Sequence, residues 1–259
     1  MILASVITYE LSKRIGKAAA AEQVHRHALT TMVGAGETLL PAIEVVRELR
    51  KHDELALLVD AGGTSIGHAR SRALSVAFES KADFWISIDD DTKCSPLTVN
   101  HLLSSLDPNT PQIVIVPCLL RQETQCANVT MDPSAKLDRI TRTGAHLRRA
   151  LYGGFGIVAV TRAALDELAQ SYLDLSFLDD DGQMRSGVFC EFIRERWWFR
   201  EDYAFFDRVQ SLPHIRVEAL CSGETDHDGH KLVLELLENV PQIPRPPVAL
   251  GKARQVVTT

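Results

Sequence analysis

The chain has 259 residues, 45% of them hydrophobic, which is enough for one α/β domain with a sizeable buried core. Its formal net charge of -6 at pH 7 argues against a nucleic-acid polymer as a partner, because such partners are bound by broad basic surfaces. A phosphorylated ligand would therefore need a local site, and we expect a divalent cation to be part of it.

The apolar runs and the cysteines indicate the compartment. No apolar run approaches the roughly 20 residues that cross a bilayer, and charged residues follow Met1 too early for a convincing signal peptide, so we expect a cytoplasmic protein. The five cysteines are scattered and never form a CxxC pair. This spacing argues against a disulfide framework and against a zinc site.

Composition divides the chain into three parts. Residues 1–27 are alanine-rich and helix-prone, which predicts a helical N-terminal extension or a contact within a homo-oligomer. Residues 28–240 carry the candidate motifs and form a single predicted catalytic domain. Residues 241–259 contain four prolines and are predicted to be an irregular tail.

From residue 28 onward, short apolar runs alternate with stretches of helical periodicity. Strands are predicted at residues 27–34, 55–59, 84–88, 113–117, 153–161 and 215–221. Helices are predicted at residues 39–49, 66–78, 97–106, 162–170 and 200–212. The alternation predicts an α/β fold with a mostly parallel sheet covered by helices on both faces, in which ligands bind at the carboxyl ends of the strands.

The strongest chemical signal is the sequence ISIDDDT, in which three aspartates follow an apolar strand. Asp89 and Asp91 are two residues apart and would emerge together at the carboxyl edge of the sheet. Mg²⁺ and Mn²⁺ prefer carboxylate and phosphate oxygens, so this pair could hold a cation that bridges to a diphosphate. An Asx-turn or a helix cap is the structural alternative.

Two glycine-containing segments are candidates for a ligand pocket. Asp60 ends a predicted strand, and Arg70 lies on the following helix, where it could clamp a phosphate or a base. Arg70 and Arg72 are two residues apart, so only one can face the strand ends, and a solvated helix face is an equal alternative. In the cluster GGFG, Gly154 would let the backbone approach a ligand, or would only permit a tight turn.

Later in the chain, two carboxylates and a histidine are candidates. Glu201 and Asp202 follow the aromatic residues 197–199, a combination that suits sugar recognition, and a carboxylate there could act as general base. A capped helix with a core-facing aromatic patch is the alternative. His227 could complete a metal site begun by Asp91, although a surface histidine is more common. The acidic run at residues 178–182 follows no apolar strand and is predicted to be a solvated loop.

The order of these motifs resembles that of GT-A glycosyltransferases, particularly the bacterial and viral-type members. The chain has GGTSIGHARSRAL, ISIDDDT, GGFGIVAVTR, REDYAFFDRV and DHDG in the order of that family, over residues 28–230. The resemblance implies a Rossmann-like GT-A fold of the nucleotide-diphospho-sugar transferase type, with Mn²⁺ or Mg²⁺ at a DxD motif. Ser71, where the pattern usually has Asn, and Phe206, where it often has Cys, depart from the family.

The same resemblance implies roles for individual residues. Asp91 and His227 would ligate the metal together with the DxD residue Asp89, which would also lie near the nucleotide ribose. The nucleotide pocket would include Asp60 and Arg70. On the acceptor side the catalytic carboxylate would be Asp202, with Glu201 beside it.

The expected function is transfer of a sugar from a UDP- or GDP-sugar donor to an acceptor that the sequence does not identify. Nucleotidyl transfer to a sugar phosphate uses a similar sheet but normally has a basic glycine-rich loop near the first strand, whereas residues 33–40 have the glycines without Lys or Arg. A non-catalytic protein that binds carbohydrate or sugar nucleotide with the same fold is a further alternative, because binding and transfer use the same pocket.

Overall fold

The computed structural model describes residues 1–8, 42–52, 55–61, 65–120, 126–134, 139–227 and 229–243, with the backbone alone for residues 8, 43 and 56–61. The strand predicted at 27–34 and the glycine-containing residues 33–40 lie outside these ranges, as does the tail beyond residue 243. No helix in the described ranges combines the length and the apolarity that a membrane span requires.

The helices of the described ranges are α1 (Ala42–Leu49), α2 (Ile66–Glu79), α3 (Pro96–Ser105), α4 (Arg162–Ser171) and α5 (Glu201–Gln210). The first eight strands are β1 (Ile2–Thr8), β2 (Leu55–Ala61), β3 (Phe84–Asp89), β4 (Thr92–Cys94), β5 (Gln112–Val116), β6 (Val129–Met131), β7 (Arg139–Ile140) and β8 (His146–Gly153). The other eight are β9 (Ile157–Thr161), β10 (Ser176–Leu178), β11 (Met184–Ser186), β12 (Phe192–Arg194), β13 (Trp197–Phe199), β14 (Arg216–Leu220), β15 (Glu224–His227) and β16 (His230–Val233). The helices predicted from residue 66 onward are confirmed, as are the strands predicted around residues 55, 84, 113 and 215.

The central sheet has the order β2-β1-β3-β9-β5-β14-β8-β6, with β7 paired to β8. β1 is parallel to β2 and β3, and β5 is parallel to β14, but β9 lies antiparallel between β3 and β5. The predicted α/β class is confirmed, whereas the prediction of a mostly parallel sheet is wrong for its second half. The preceding strand β8 is likewise antiparallel to its neighbour β14, which is parallel to β5, so β8 and β9 both run opposite to β5 and β14.

β1 corrects the predicted domain boundary. Residues 2–7 are an almost continuous apolar run, they are buried, and they form the strand between β2 and β3. Such a run is typical of a strand buried on both faces, so the prediction that residues 1–27 are an extension is wrong for β1. Ile7 is the register partner of both Asp60 and Asp89, which places these two backbones at one level of the sheet.

A second, three-stranded sheet is formed by β16, β15 and β4, and its register places His227 opposite Thr92. Because β4 begins directly after Asp91, this small sheet places His227 close to the end of β3. Residues 241–243, predicted to belong to an irregular tail, are hydrogen-bonded to the segment around Ala127: Ala127 N–H donates to the Pro241 carbonyl at 2.7 Å, and Ile243 N–H donates to the Ala127 carbonyl at 3.1 Å.

An aromatic cluster forms the core beneath the carboxyl ends of the strands. The ring of Phe155 lies 4.9 Å from those of Phe189 and Phe205 and 5.7 Å from that of Phe206, centroid to centroid. All four side chains are buried. Aromatic pairs of this kind contribute about 0.5–1.5 kcal/mol each beyond the area that they bury, so Phe155 is held in a fixed position.

Candidate active site

Arg70 is the centre of the site and is 1% exposed. Its Nη2 donates to both oxygens of Asp89, at 2.9 and 3.1 Å. Its Nη1 donates to Glu201 at 3.2 Å and to Asp202 through a short hydrogen bond. Of the two arginines considered for this role, Arg70 is therefore the one that faces the strand ends, and one guanidinium binds three carboxylates.

The packing of α2 against α5 explains why Arg70 reaches these partners. Ser65 caps α2 by accepting the N–H of His68 at 3.1 Å. A Cβ added at Gly67 would lie only 3.1 Å from the Cβ of Glu201, so glycine allows the start of α2 to approach α5 closely. The Arg70 guanidinium also lies 5.0 Å from the centroid of the Phe155 ring, a cation–π distance.

The charges in this cluster do not cancel. Burial acts to lower the pKa of Arg70, but the attraction of Asp202, Asp89 and Glu201 outweighs it and raises that pKa. Burial raises the pKa of Asp89 to about 6 and that of Asp202 to about 7, although Arg70 opposes both shifts. One permanent positive charge among three carboxylates leaves an environment that favours a further cation or proton.

Asp91 lies beside a different partner. Its Oδ1 is 3.3 Å from Nε2 of His227, and Nδ1 of His227 is 2.7 Å from the carbonyl oxygen of Leu119. Because a carbonyl can only accept, Nδ1 carries a hydrogen, and Nε2 is the ring nitrogen that faces Asp91. Metal-binding histidines are commonly oriented by such a bond from the second ring nitrogen.

The structure thus brings together most of the residues named from sequence, but in two groups. Asp89, Glu201 and Asp202 surround Arg70, whereas Asp91 and His227 contact each other. In the described ranges no group of three or more His, Cys, Asp or Glu side chains has the arrangement of a metal site, and the Asp89 carboxylate is held by Arg70. For Asp60 only the backbone is described.

Gly154 lies in the turn between β8 and β9, and its N–H donates to the carbonyl of Asn128 at 2.7 Å. Both glycines of this segment allow close packing: a Cβ at Gly154 would lie 2.8 Å from Nδ2 of Asn128, and a Cβ at Gly153 would lie 2.7 Å from Cδ1 of Ile115. The backbone N–H of Phe155 donates to Asp202, which lowers the pKa of that carboxyl against the effect of burial. The turn is therefore connected directly to the carboxylate cluster.

Asn128 and the segment 117–119 also belong to the site, although they were not predicted from the sequence as candidate site residues. Asn128 Oδ1 accepts the N–H of Cys118 at 2.8 Å, and Thr225 Oγ1 donates to the Pro117 carbonyl at 2.8 Å. These bonds hold the segment whose Leu119 carbonyl orients His227. A signal was present, because Asn128 interrupts an otherwise apolar stretch directly before β6.

The aromatic residues before α5 have separate surroundings. Phe199 is buried against Phe192, with ring centroids 4.7 Å apart, while Trp197 and Trp198 are exposed on the hairpin of β12 and β13. Trp198 Nε1 donates to Glu191 at 3.0 Å. The core-facing aromatic alternative therefore describes Phe199, and the two tryptophans lie on the surface.

Fold and site together define an α/β protein with an acidic centre at the carboxyl ends of its strands. No family model matches the chain, and no curated protein matches its sequence. Among solved structures, A197 from STIV has a TM-score of 0.50 at 14% identity, over 88% of this chain and 85% of that chain. This similarity shows a shared fold.

Two further solved structures are more distant. One is a mannose-1-phosphate geranyltransferase from Thermus thermophilus, with a TM-score of 0.37 at 11% identity over 85% of this chain and 73% of that chain. The other is the inositol-1-phosphate CTP transferase from T. maritima, with a TM-score of 0.34 at 10% identity over 84% of each chain. Neither likeness is close enough to assign an activity to this chain.

Proposed function

We propose that this protein is a metal-dependent glycosyltransferase of the GT-A type that takes a UDP- or GDP-sugar as donor. The observation that supports the proposal is that two neighbouring groups, the carboxylates around Arg70 and the Asp91–His227 pair, lie where β3 ends. These are the residues that the family resemblance assigns to the acceptor side and to the metal, and they come from β3, α2, α5 and β15.

The donor set fits a divalent cation. Asp91 offers a hard oxygen ligand, and His227 offers an imidazole nitrogen held in one tautomer by Leu119. A carboxylate with an imidazole suits Mn²⁺ well, whereas Mg²⁺ has a stronger preference for oxygen alone. When bound, the cation would supply Lewis-acid stabilisation of the departing diphosphate.

Asp202 is the proposed catalytic carboxylate. A general base works best with a pKa near the operating pH, and burial raises the pKa of Asp202 to about 7. Arg70 and the Phe155 N–H hold this carboxylate in place, and Glu201 shares the guanidinium. In this proposal Asp202 accepts the proton of the acceptor hydroxyl, while Asp60 and Asp89 lie on the nucleotide side.

The direct test is a screen of UDP-, GDP- and CMP-sugars by thermal shift and turnover, with Mn²⁺, with Mg²⁺ and with excess EDTA. We expect one donor class to stabilise the protein only when the cation is present, because the acidic site would otherwise repel a diphosphate. Equal stabilisation by the same nucleotide in EDTA would contradict the metal-dependent site.

Nucleotidyl transfer to a sugar phosphate is the second candidate, because it needs the same acidic, cation-binding centre beside a nucleotide. The two reactions release different products. Glycosyl transfer releases a nucleoside diphosphate, whereas nucleotidyl transfer from a nucleoside triphosphate releases pyrophosphate. Pyrophosphate formed from a triphosphate and a sugar phosphate, with no turnover of sugar nucleotides, would replace the first proposal by the second.

Asp202→Asn tests the catalytic assignment. If Asp202 is the general base, its replacement should slow transfer by about 10²- to 10⁴-fold with donor affinity near that of the wild type. If it only binds the acceptor hydroxyl, the KM for acceptor should rise while kcat changes little. Unchanged kcat together with unchanged acceptor KM would remove Asp202 from the mechanism and make Glu201 the next carboxylate to test.

A further inference from the structure

Asn128 is a buried asparagine at the edge of the carboxylate cluster, 3% exposed. Its backbone N–H donates to the Cys118 carbonyl at 2.9 Å, and its own carbonyl accepts the Gly154 N–H at 2.7 Å. Its side-chain Oδ1 accepts the Cys118 N–H at 2.8 Å. Asn128 therefore joins the segment that follows β5 to the turn between β8 and β9.

These bonds determine which way the side-chain amide faces. The Cys118 N–H can only donate, so the amide atom that faces it is the oxygen, and Nδ2 points away from Cys118. Across the ranges that the structure describes, Nδ2 donates to no acceptor. The residue as a whole is buried, but Nδ2 is not among the buried polar atoms that lack a partner, so it retains contact with solvent and is available to donate to a ligand.

Nδ2 faces Gly154. A Cβ added at Gly154 would lie 2.8 Å from Nδ2 and 3.2 Å from the Cβ of Asn128. Between residues 151 and 161, Gly154 is the one residue that is not buried. Glycine thus keeps open the surface where the amide donor can be reached from solvent.

This opening lies between the two groups of the candidate active site. On one side, Phe155 follows Gly154 and donates its N–H to Asp202. On the other side, Leu119 follows Cys118 and accepts from His227. A donor substrate whose diphosphate lies near Asp91 and His227, and whose reacting carbon faces Asp202, would have its sugar ring at this opening.

We infer that the Asn128 amide donates a hydrogen bond to a hydroxyl oxygen of the transferred sugar, over the surface kept open by Gly154. The inference rests on the proposed function and names the sugar contact of that same site. A neutral N–H₂ group matches a neutral hydroxyl, whereas the diphosphate charge is matched by the cation. Asn128 is therefore a specificity-determining residue for the sugar rather than for the nucleotide.

The test compares Asn128→Asp with the wild type, using calorimetric binding of UDP and of UDP-glucose in Mn²⁺, or of GDP and GDP-mannose if the donor screen selects GDP. The substitution keeps the oxygen that accepts from Cys118 and removes the donor. We expect affinity for the sugar nucleotide, relative to that for the free nucleotide, to fall about tenfold, the effect of one lost hydrogen bond. Because the terminal phosphate of a free nucleoside diphosphate carries more negative charge than that of a sugar nucleotide, an uncharged variant is needed beside Asn128→Asp.

Gly154→Ala provides a second, uncharged variant, because its methyl group would displace the amide and cover the opening. The same selective loss of the sugar nucleotide is expected, and Asn239→Asp, at an exposed position, should leave both affinities unchanged. Equal loss of both ligands, or no change of the ratio in folded variants, would assign Asn128 a structural role only and overturn the inference. Failure of the wild-type protein to bind any sugar nucleotide would instead overturn the proposed function, and the inference with it.

Discussion

The chain contains two runs of three aspartates, and their structural environments differ. Residues 89–91 end a buried strand, and their partners come from distant parts of the chain: Asp89 binds Arg70, and Asp91 contacts His227. Residues 179–181 lie between β10 and β11, where the sequence predicts a solvated loop. Asp180 and Asp181 are exposed as expected, but Asp179 is buried, so for Asp179 the prediction is wrong.

Local partners satisfy Asp179 completely. Its Oδ1 accepts the N–H of Asp181 at 3.0 Å and that of Gln183 at 2.8 Å, and its Oδ2 pairs with Arg185 Nε at 2.6 Å. The hydrogen bond from Arg185 is the main reason that the pKa of Asp179 is lowered. A carboxylate with all its partners within six residues stabilises a turn.

The balance of charge distinguishes an acidic run that stabilises a turn from one that is a candidate binding site. At Asp179 the negative charge is matched by Arg185, and three donors bind the two carboxylate oxygens, so this buried group has no excess charge. Around Arg70 three carboxylates share one cation, and burial raises the pKa of Asp89 to about 6. An excess of like charge at a strand end is costly for stability, and it favours a ligand that brings positive charge.

The largest expected difference between the two aspartate runs is in ligand binding. Asp91→Asn should reduce Mn²⁺-dependent binding of UDP to the level measured for the wild type in EDTA, because it removes the carboxylate proposed to bind the cation. The fold should remain intact, since Asp91 lies in the turn between β3 and β4. The matched change Asp181→Asn should leave both binding and fold unaltered.

Calorimetry of the two variants with UDP, together with urea unfolding, checks this contrast. An Asp91→Asn protein that keeps its cation-dependent affinity would place the metal elsewhere. Loss of cooperative unfolding in that variant would show that Asp91 is structural, and the contrast between the two aspartate runs would fail.

Replacing the two arginines that pair with these aspartates, Arg70 and Arg185, should lower the free energy of unfolding by different amounts. Arg70→Met leaves three crowded carboxylates without their cation, and we expect the free energy of unfolding to fall by about 3–5 kcal/mol, as for other broken buried ion pairs. Arg185→Met should cost less, because Asp179 keeps its two backbone N–H donors. Urea denaturation measures both, with Lys81→Met, an exposed position, as a control that should change little. Equal losses in the two arginine variants would contradict the comparison.

The smallest contrast is in pH dependence, measured in EDTA. The pKa of Asp89 is raised from 3.8 to about 6, so its folded form retains a proton that the unfolded chain releases, and its contribution to stability is lost as pH rises from 4 to 6. Relative to the wild type, Asp89→Asn should therefore gain about 2–3 kcal/mol between these pH values. The pKa of Asp179 is lowered, so its stabilisation is present above pH 4 and is lost as pH falls below that value.

Asp179→Asn should accordingly lose stability relative to the wild type as pH rises from acid to neutral, the opposite sign from Asp89→Asn. Unfolding free energies of the three proteins at several pH values between 3 and 7 provide the measurement. Two variants whose stability differences change in the same direction with pH would show that both aspartates have the same kind of environment.

The positions of the five helices and of five strands after residue 42 could be predicted from the sequence, because their hydrophobic periodicity is strong and local, whereas the short strands of the hairpins and of the second sheet were not predicted. It also placed Asp89 and Asp91 at the carboxyl end of a buried strand, since a short apolar run followed by acids has few other structures. Residues 2–7 have the same kind of apolar run as the other buried strands. This run is sufficient to predict β1, which was instead assigned to an N-terminal extension.

Which of these residues contact each other depends on the tertiary structure. Arg70 rather than Arg72 faces the carboxylates because of how α2 packs on α5, and His227 reaches Asp91 because β15 pairs with β4. The antiparallel position of β9 is set by its pairing with β3 and β5, and the close packing of Gly153 on Ile115 and of Gly154 on Asn128 exists only in the folded chain. Such contacts join residues that are far apart in the chain, so local periodicity does not predict them. Their free energy comes from packing and charge pairing that exist only in the folded molecule.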